Sequence, residues 1–528
     1  MTIGKIRKLL KSNHNALILL ILLFLLIPLY VILYKIYIPR VNAFGCFDDC
    51  FNYVGGYFIA NGKHIYSDFF FNHQPIPAFL SYAVQTITHP INIFDLVLKH
   101  RQALMLFGLL FNGLLILRFR FPAFLFIIIF ELSKFYVFGD RFLAEGIIVY
   151  PILYLAGLAL LRISKRKLFT IDYLLFPVLA WFIVFSREPY VPLALLLFAT
   201  ILWGKFDKIK KISIAIFIVL STITLLYISD LKEYFFNIVT VNYSTVFTSE
   251  ANTNNLIGPK IFQIFLYPFY ILIQGNWNLF RQLLIGVDIV FITLLFSLIR
   301  NRQFFVVAFI LLLLGLANLR IIVPGSIFYS AFHMIVWYGL FIFITTTLVF
   351  WHTKNRPLFI FSAIVILIFL FSLLTSKLYF AYEKIDQHAE FLTNYGETMQ
   401  IGEVVKILSN PSDTLFLDGS DDLIYWQAQR TSPYKYSWYT SVMRHFPKYL
   451  KSRLDMFKNN PPDFYKEFGT CPKKTDIGES YRLPNFIADQ YARLYSLESP
   501  SCLFVHKKKL DEITEAQWQK AVEFLYHR

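Results

Sequence analysis

Residues 16–36 read ALILLILLFLLIPLYVILYKI, a run with a single charge that follows Lys5, Arg7, Lys8 and Lys11. A helix needs about 20 apolar residues to cross roughly 30 Å of hydrocarbon, and this run supplies them. It lacks the small-residue cleavage site of a secretory signal, so it is read as a retained signal anchor. The rest of the chain agrees with a membrane setting. Of 528 residues, 57% are hydrophobic and 16% charged, which excludes a soluble protein of this size. The 58 Phe and 32 Tyr exclude disordered and collagen-like classes.

Further apolar runs occur at 94–117, 121–139, 143–161, 171–186, 190–203, 212–229, 279–299, 304–323, 326–350 and 357–376. The fold class expected is therefore an α-helical polytopic membrane protein of about eleven transmembrane helices. Two shorter runs, 75–90 and 261–275, contain Pro75, Pro77 and Pro268 and are read as interfacial. Charge sets the orientation. Residues 377–528 hold 20 basic and 20 acidic side chains, so the net +16 belongs to residues 1–376, with 30 basic and 14 acidic. With eleven spans, segments 1–15, 118–120, 162–170, 204–211, 300–302 and 351–356 share one side and carry 18 of those 30 cations. Short basic loops mark the cytoplasmic side. The N-terminus is thus expected on the cytoplasmic side, and residues 377–528 outside as a small extracytoplasmic α/β domain. The excess is a topology signal, not a nucleic-acid footprint.

Cys46, Cys50, Cys471 and Cys502 all fall in segments this topology places outside, as an oxidising compartment requires. A disulfide is expected between Cys471 and Cys502, whereas one between Cys46 and Cys50 would close a strained ring unless the backbone turns there. In the outer domain, helices are expected at 398–408, 443–458, 485–494 and 515–526, and strands at 414–417 and 502–506. Asp418, Asp421 and Asp422 read as a solvated loop. Glu131 and Lys134, three apart in an apolar run, read as a helical ion pair facing the bundle.

The first outer loop, residues 37–93, holds the acidic pair Asp48-Asp49, then Gly62 fourteen positions after Asp48, Tyr66-Ser67-Asp68, and His73-Gln74-Pro75. Arg101 precedes Gly108 at the outer start of the second span, and Asp140-Arg141-Phe142-Leu143-Ala144-Glu145 closes the third. In order, spacing and sidedness these motifs, over roughly residues 1–190, make the sequence resemble the membrane-embedded C-type glycosyltransferases. That superfamily includes the protein O-mannosyltransferases and the aminoarabinose transferases of lipid A. Its members carry a His/Lys-Pro-Pro element where this chain has His73-Gln74-Pro75, with one proline missing. The resemblance implies an inverting transferase that takes a sugar from a polyprenyl-phosphate donor to a glycolipid, polysaccharide or protein acceptor at the outer membrane face. A divalent metal stays open, since members differ.

Such chemistry needs a base near the acceptor hydroxyl and cations for the departing phosphate. Asp48 is the first choice for base, Asp49 the second. Glu145 is the second acidic residue, Asp140 its competitor, and a salt bridge with Arg141 its bland alternative. Arg101, Arg187 and Arg320 are candidates for phosphate contact or plain interfacial anchors. Asp68, His73, Gln74, Arg141 and His333 lie at the same expected level and complete the substrate-binding set. Two other readings compete: a transporter or flippase of a lipid-linked sugar, which favours ionisable residues near the bilayer midplane, and a scaffold that only presents the outer domain.

Overall fold

The structure is a computed structural model and describes residues 3–38, 48–205, 207–228, 230–242, 265–269, 279–319, 331–351, 355–375, 396–419, 423–437, 446–467, 482–494 and 502–526. The described residues are mostly helical, with several apolar helices and a small four-stranded sheet. In chain order the helices are α1 (Ile3–Tyr37), α2 (Asp48–Ala60), α3 (Ile76–Thr88), α4 (Ile93–Phe119), α5 (Phe121–Ser133), α6 (Ala144–Ile163), α7 (Thr170–Val184), α8 (Val191–Leu202), α9 (Lys208–Ile228) and α10 (Leu231–Phe235). After them come α11 (Leu279–Arg300), α12 (Phe304–Leu316), α13 (Ile335–Trp351), α14 (Arg356–Thr375), α15 (Gly396–Leu408), α16 (Leu423–Ala428), α17 (Pro447–Asn459), α18 (Lys507–Glu512) and α19 (Glu515–Tyr526).

Six of these are long and apolar enough to cross a membrane: Ala16–Tyr37, Ile93–Phe119, Ala144–Ile163, Lys208–Ile228, Arg281–Arg300 and Arg356–Thr375. Four further apolar helices have 10–17 residues. Exposed Ile218, Ile223 and Leu226 on α9, and Ile364, Leu367 and Phe371 on α14, give these helices an outward apolar face. Water does not tolerate such faces in bulk; lipid does. The apolar run 121–139 is helical only to Ser133, where a 3-10 turn, Lys134–Val137, takes over. The stretch 75–90 forms the 13-residue helix α3, while most of 261–275 lies outside the described residues.

Contacts divide the chain into two compact units: residues 1–43, 101–221 and 255–385, and residues 44–100, 222–254 and 386–528. Hydropathy alone would divide the chain at 376/377. The contact units instead group the first loop with the C-terminal segments.

In the first unit, α6 is buried along most of its length, packed by α7, α8 and α13. Its polar core is the expected ion pair: Lys134 Nζ lies 2.7 Å from Glu131 Oε2, both side chains 1% exposed. Asn112 Nδ2 and the Tyr150 hydroxyl each donate to Glu131 Oε1 at 2.8 Å, and Lys134 Nζ donates to the Tyr150 hydroxyl at 2.8 Å. A buried pair survives desolvation only when its remaining hydrogen-bonding capacity is filled this way.

In the second unit, α2 and α3 pack closely because Gly56 has no side chain; a Cβ there would sit 2.7 Å from Ser81 Oγ and from the Tyr82 backbone nitrogen. The C-terminal lobe carries strands β1 (Leu415–Leu417), β2 (Phe464–Lys466), β3 (Tyr491–Arg493) and β4 (Leu503–His506), in the order β1-β2-β4-β3. β1 runs parallel to β2 with Leu415 opposite Phe464, and the other pairs are antiparallel. The stretch 485–494, expected as a helix, is a 3-10 turn (Ala488–Gln490) leading into β3, because Tyr491 and Ala492 pair with His506 and Val505. Asp418 is not solvated. It is fully buried, with Arg453 Nη2 at 2.5 Å and the Tyr465 hydroxyl at 2.6 Å. Burial works against the Arg453 charge, but the Asp418 carboxylate outweighs it and holds the guanidinium above its ordinary range. Asp421 and Asp422 lie outside the described residues.

Cys50 and Cys502 are each disulfide-bonded. Cys46 and Cys471 lie outside the described residues, and the expected Cys471–Cys502 pairing with them.

Candidate functional site

The second unit holds the first-loop candidates. Asp48 is the first residue of α2, and its side chain lies outside what the structure describes. Asp49 is fully buried, and the Tyr53 hydroxyl one turn on donates to its Oδ2 at 3.2 Å. At a helix N-terminus a carboxylate also meets the positive end of the helix dipole. The Tyr53 ring lies 4.2 Å, centroid to centroid, from the His100 ring. His100 Nδ1 is 2.7 Å from the Leu96 carbonyl, which only accepts, so that nitrogen carries the proton. Its Nε2, 2.8 Å from Ser81 Oγ, then accepts from the serine hydroxyl. Gln85 Nε2 donates to Ser81 Oγ at 3.1 Å and to the Tyr53 carbonyl at 2.7 Å, while Gln85 Oε1 accepts from Trp426 Nε1 at 3.1 Å. Ser81, Gln85 and His100 are absent from the sequence candidates. Their signal was present: Ser81 and Gln85 sit four apart on a short apolar helix, polar groups on one face. Burial pushes the Tyr57 hydroxyl on α2 above its ordinary range, against the pull of Arg430.

The Tyr66-to-Pro75 motif builds the loop itself. Tyr66 adopts φ 71° and its hydroxyl donates to the His73 carbonyl at 2.8 Å. Asp68 Oδ2 accepts from the His64 backbone at 2.8 Å and lies 3.0 Å from His64 Nδ1, closing an exposed turn. His73 packs edge-on against Phe51 and Phe71. Gln74 is buried and its Oε1 accepts from the Tyr234 hydroxyl at 3.0 Å. Asn237 Oδ1 accepts from the Phe71 backbone N–H at 3.3 Å, and Asn242 Nδ2 donates to the Asn72 carbonyl at 2.8 Å.

The first unit holds the others. Glu145 stands in the first turn of α6, and Arg187 just after α7. Arg187 Nε lies 2.9 Å from Glu145 Oε1, the two side chains 3% and 2% exposed. Glu145 thus has a partner 42 residues away, besides any bond to its neighbour Arg141. Arg141 is 1% exposed with its guanidinium 4.8 Å from the Phe138 ring centroid, and Asp140 is buried beside it. Three residues past Arg187, the Tyr190 hydroxyl donates to the His333 carbonyl at 3.2 Å. The 3-10 segment Ala331–Met334 that carries His333 packs against both Lys134–Val137 and α6. Glu145, Arg187, Asp140, Arg141 and His333 therefore gather at one end of this unit. Arg101 is buried on α4, and Arg320 lies outside the described residues. No known protein family matches the chain, and no curated protein matches it in sequence.

Chemically, the first-unit cluster presents guanidinium groups in a dry setting, anchored by a carboxylate, where an anion's charge is poorly screened by water. Among the described residues no group of three or more His, Cys, Asp or Glu side chains is arranged to hold a metal ion.

Proposed function

We propose that the protein is a membrane-embedded glycosyltransferase of the C-type. It would move a sugar from a polyprenyl-phosphate donor to a glycolipid, polysaccharide or protein at the outer face of a bacterial cytoplasmic membrane. The observation that carries this reading is the buried Glu145–Arg187 pair, in the turn where the resemblance expects the second acidic site, with Arg141 and His333 in the same neighbourhood. Arginines fixed by a carboxylate are pre-oriented for phosphate oxygens, so little reorganisation is needed as charge builds on the leaving group. In this reading Asp48 is the base and Asp49, whose buried carboxylate accepts from the Tyr53 hydroxyl, is the second choice. The eleven spans and inside N-terminus belong to the same reading.

The test is a comparison of surface glycans and glycoproteins in cells with the chain, without it, and with Asp48→Asn. Loss of one glycan in the last two supports transfer. Unchanged glycans in all three contradict it.

One observation favours the transporter reading. Asp288 sits mid-way along α11, fully buried, and neither carboxylate oxygen has a hydrogen-bond partner among the described residues. An ionisable group at that depth is the usual mark of a transport path. A sugar that stays lipid-linked but accumulates on the inner leaflet in cells lacking the chain would identify that activity.

A further inference from the structure

At the opposite end of the first unit, short basic loops converge. Arg118 and Arg120 at the α4–α5 junction, Arg166 and Lys167 after α6, and Trp351 at the end of α13 line a cavity of about 400 Å³, and no carboxylate lines it. Arg118 is already matched: its Nε lies 2.9 and 3.1 Å from the two Asp172 oxygens, and its Nη2 2.9 Å from Oδ2. Arg120, Arg166 and Lys167 are exposed, so the cavity carries three cations beyond that pair. Arg166 stands 6.0 Å over the Trp351 ring centroid. Thr347 contributes a buried hydroxyl with no hydrogen-bond partner among the described residues.

Two backbone details accompany this cavity. Arg120 and Lys165 adopt φ 58° and 57°, left-handed conformations that cost a non-glycine residue about 1 kcal/mol or more, yet both turns carry a cation where glycine fits more easily. Gly157, in the cavity wall, has Phe119 so close that a Cβ would lie 2.3 Å from its Cζ, so any side chain there displaces a ring that lines the space. α6 rises about 1.5 Å per residue from Glu145 to Arg162, roughly 26 Å in all, close to a hydrocarbon thickness. A helix of that length and apolarity brings the cavity to head-group level.

We propose that this cavity binds a phosphate ester. Guanidinium and ammonium groups grip phosphate oxygens, Thr347 adds a neutral donor, and the Phe and Trp rings suit the boundary between head groups and acyl chains. Basic pockets between spans on such a face take anionic head groups. The proposal is independent of the glycosyl-transfer reading. The phosphate has two sources, an anionic phospholipid or a soluble phosphate ester, with the same recognition chemistry.

Full-length protein, stripped of lipid in a neutral detergent, is titrated with phosphatidylglycerol and, separately, with glycerol 3-phosphate, and the bound species are counted by native mass spectrometry. Phosphatidylglycerol binding is expected to weaken about thirty-fold in Arg166→Gln/Lys167→Gln, about five-fold per cation. Both side chains are exposed, so the fold tolerates the change, which circular dichroism verifies. Arg300→Gln/Arg302→Gln removes equal charge from a loop that does not line the cavity, and is expected to bind as the wild type does. Binding of the lipid alone identifies a head-group site, whereas binding of glycerol 3-phosphate as well identifies a site open to soluble esters. Equal weakening in the two double variants, or no binding of either ester by the wild type, overturns the proposal.

Discussion

The two ends of α6 handle charge by opposite rules. At the Glu145 end, carboxylate and guanidinium are paired and buried, with side chains 2–3% exposed. At the Arg162 end, Arg120, Arg166 and Lys167 are exposed and outnumber the nearby Asp172, which Arg118 already occupies. Burying an ion costs several kcal/mol, so charge persists there only with a matched partner. Exposed charge costs little, and it can accumulate with one sign wherever a field selects it. One helix thus joins a buried cluster of paired charges to an exposed cluster of mostly one sign.

The largest predicted effect tests the pairing. Glu145→Gln leaves Arg187 buried without its carboxylate and should lower stability by about 3–5 kcal/mol. Arg166→Gln should stay within about 0.5 kcal/mol of wild type. Denaturant unfolding in detergent measures both, and equal costs at the two ends would break the comparison. Replacing the whole pair, Glu145→Leu with Arg187→Met, should restore most of that stability while sugar transfer remains lost. Recovery of transfer along with stability would make the pair purely structural. Gly157→Ala should cost about 1–3 kcal/mol through overpacking against Phe119, together with a loss of phospholipid retention. The smallest effect concerns salt. Raising ionic strength to about 1 M shortens the Debye length to about 3 Å, so phospholipid binding at the exposed end should weaken several-fold. The stability difference between wild type and Glu145→Gln should move by less than about 0.5 kcal/mol under the same change.

Hydropathy and loop charge made the helical, membrane-like character legible, and the local pair Glu131–Lys134 was readable because i and i+3 share a helix face. In the lobe, the runs 414–417 and 502–506 were readable as strands because they are short, apolar and bounded by turns. The stretch 485–494 misled because β3 takes its form from its pairing with β4, which local periodicity does not encode. The helix ending at Ser133 inside an apolar run was hidden too, since hydropathy reports depth and not backbone path. Long-range partners were the least visible. Nothing local links Glu145 to Arg187, Asp418 to Arg453 or Arg118 to Asp172, which meet only once helices and strands have packed. The convergence of segments 118–120, 162–170 and 351–356 on one cavity is different. The charge pattern had assigned these three to one side before any packing was considered.

Turnover is the most direct test of the central claim, that sugar transfer from a lipid phosphate depends on the first-loop acid. Purified protein in liposomes is assayed for transfer from a polyprenyl-phosphate sugar, with the product identified from the glycan that cells lacking the chain fail to make. The account predicts a fall of about 10²–10⁴-fold in Asp48→Asn, with insertion and donor binding retained. Wild-type transfer by Asp48→Asn, by Asp49→Asn and by the double variant would contradict it.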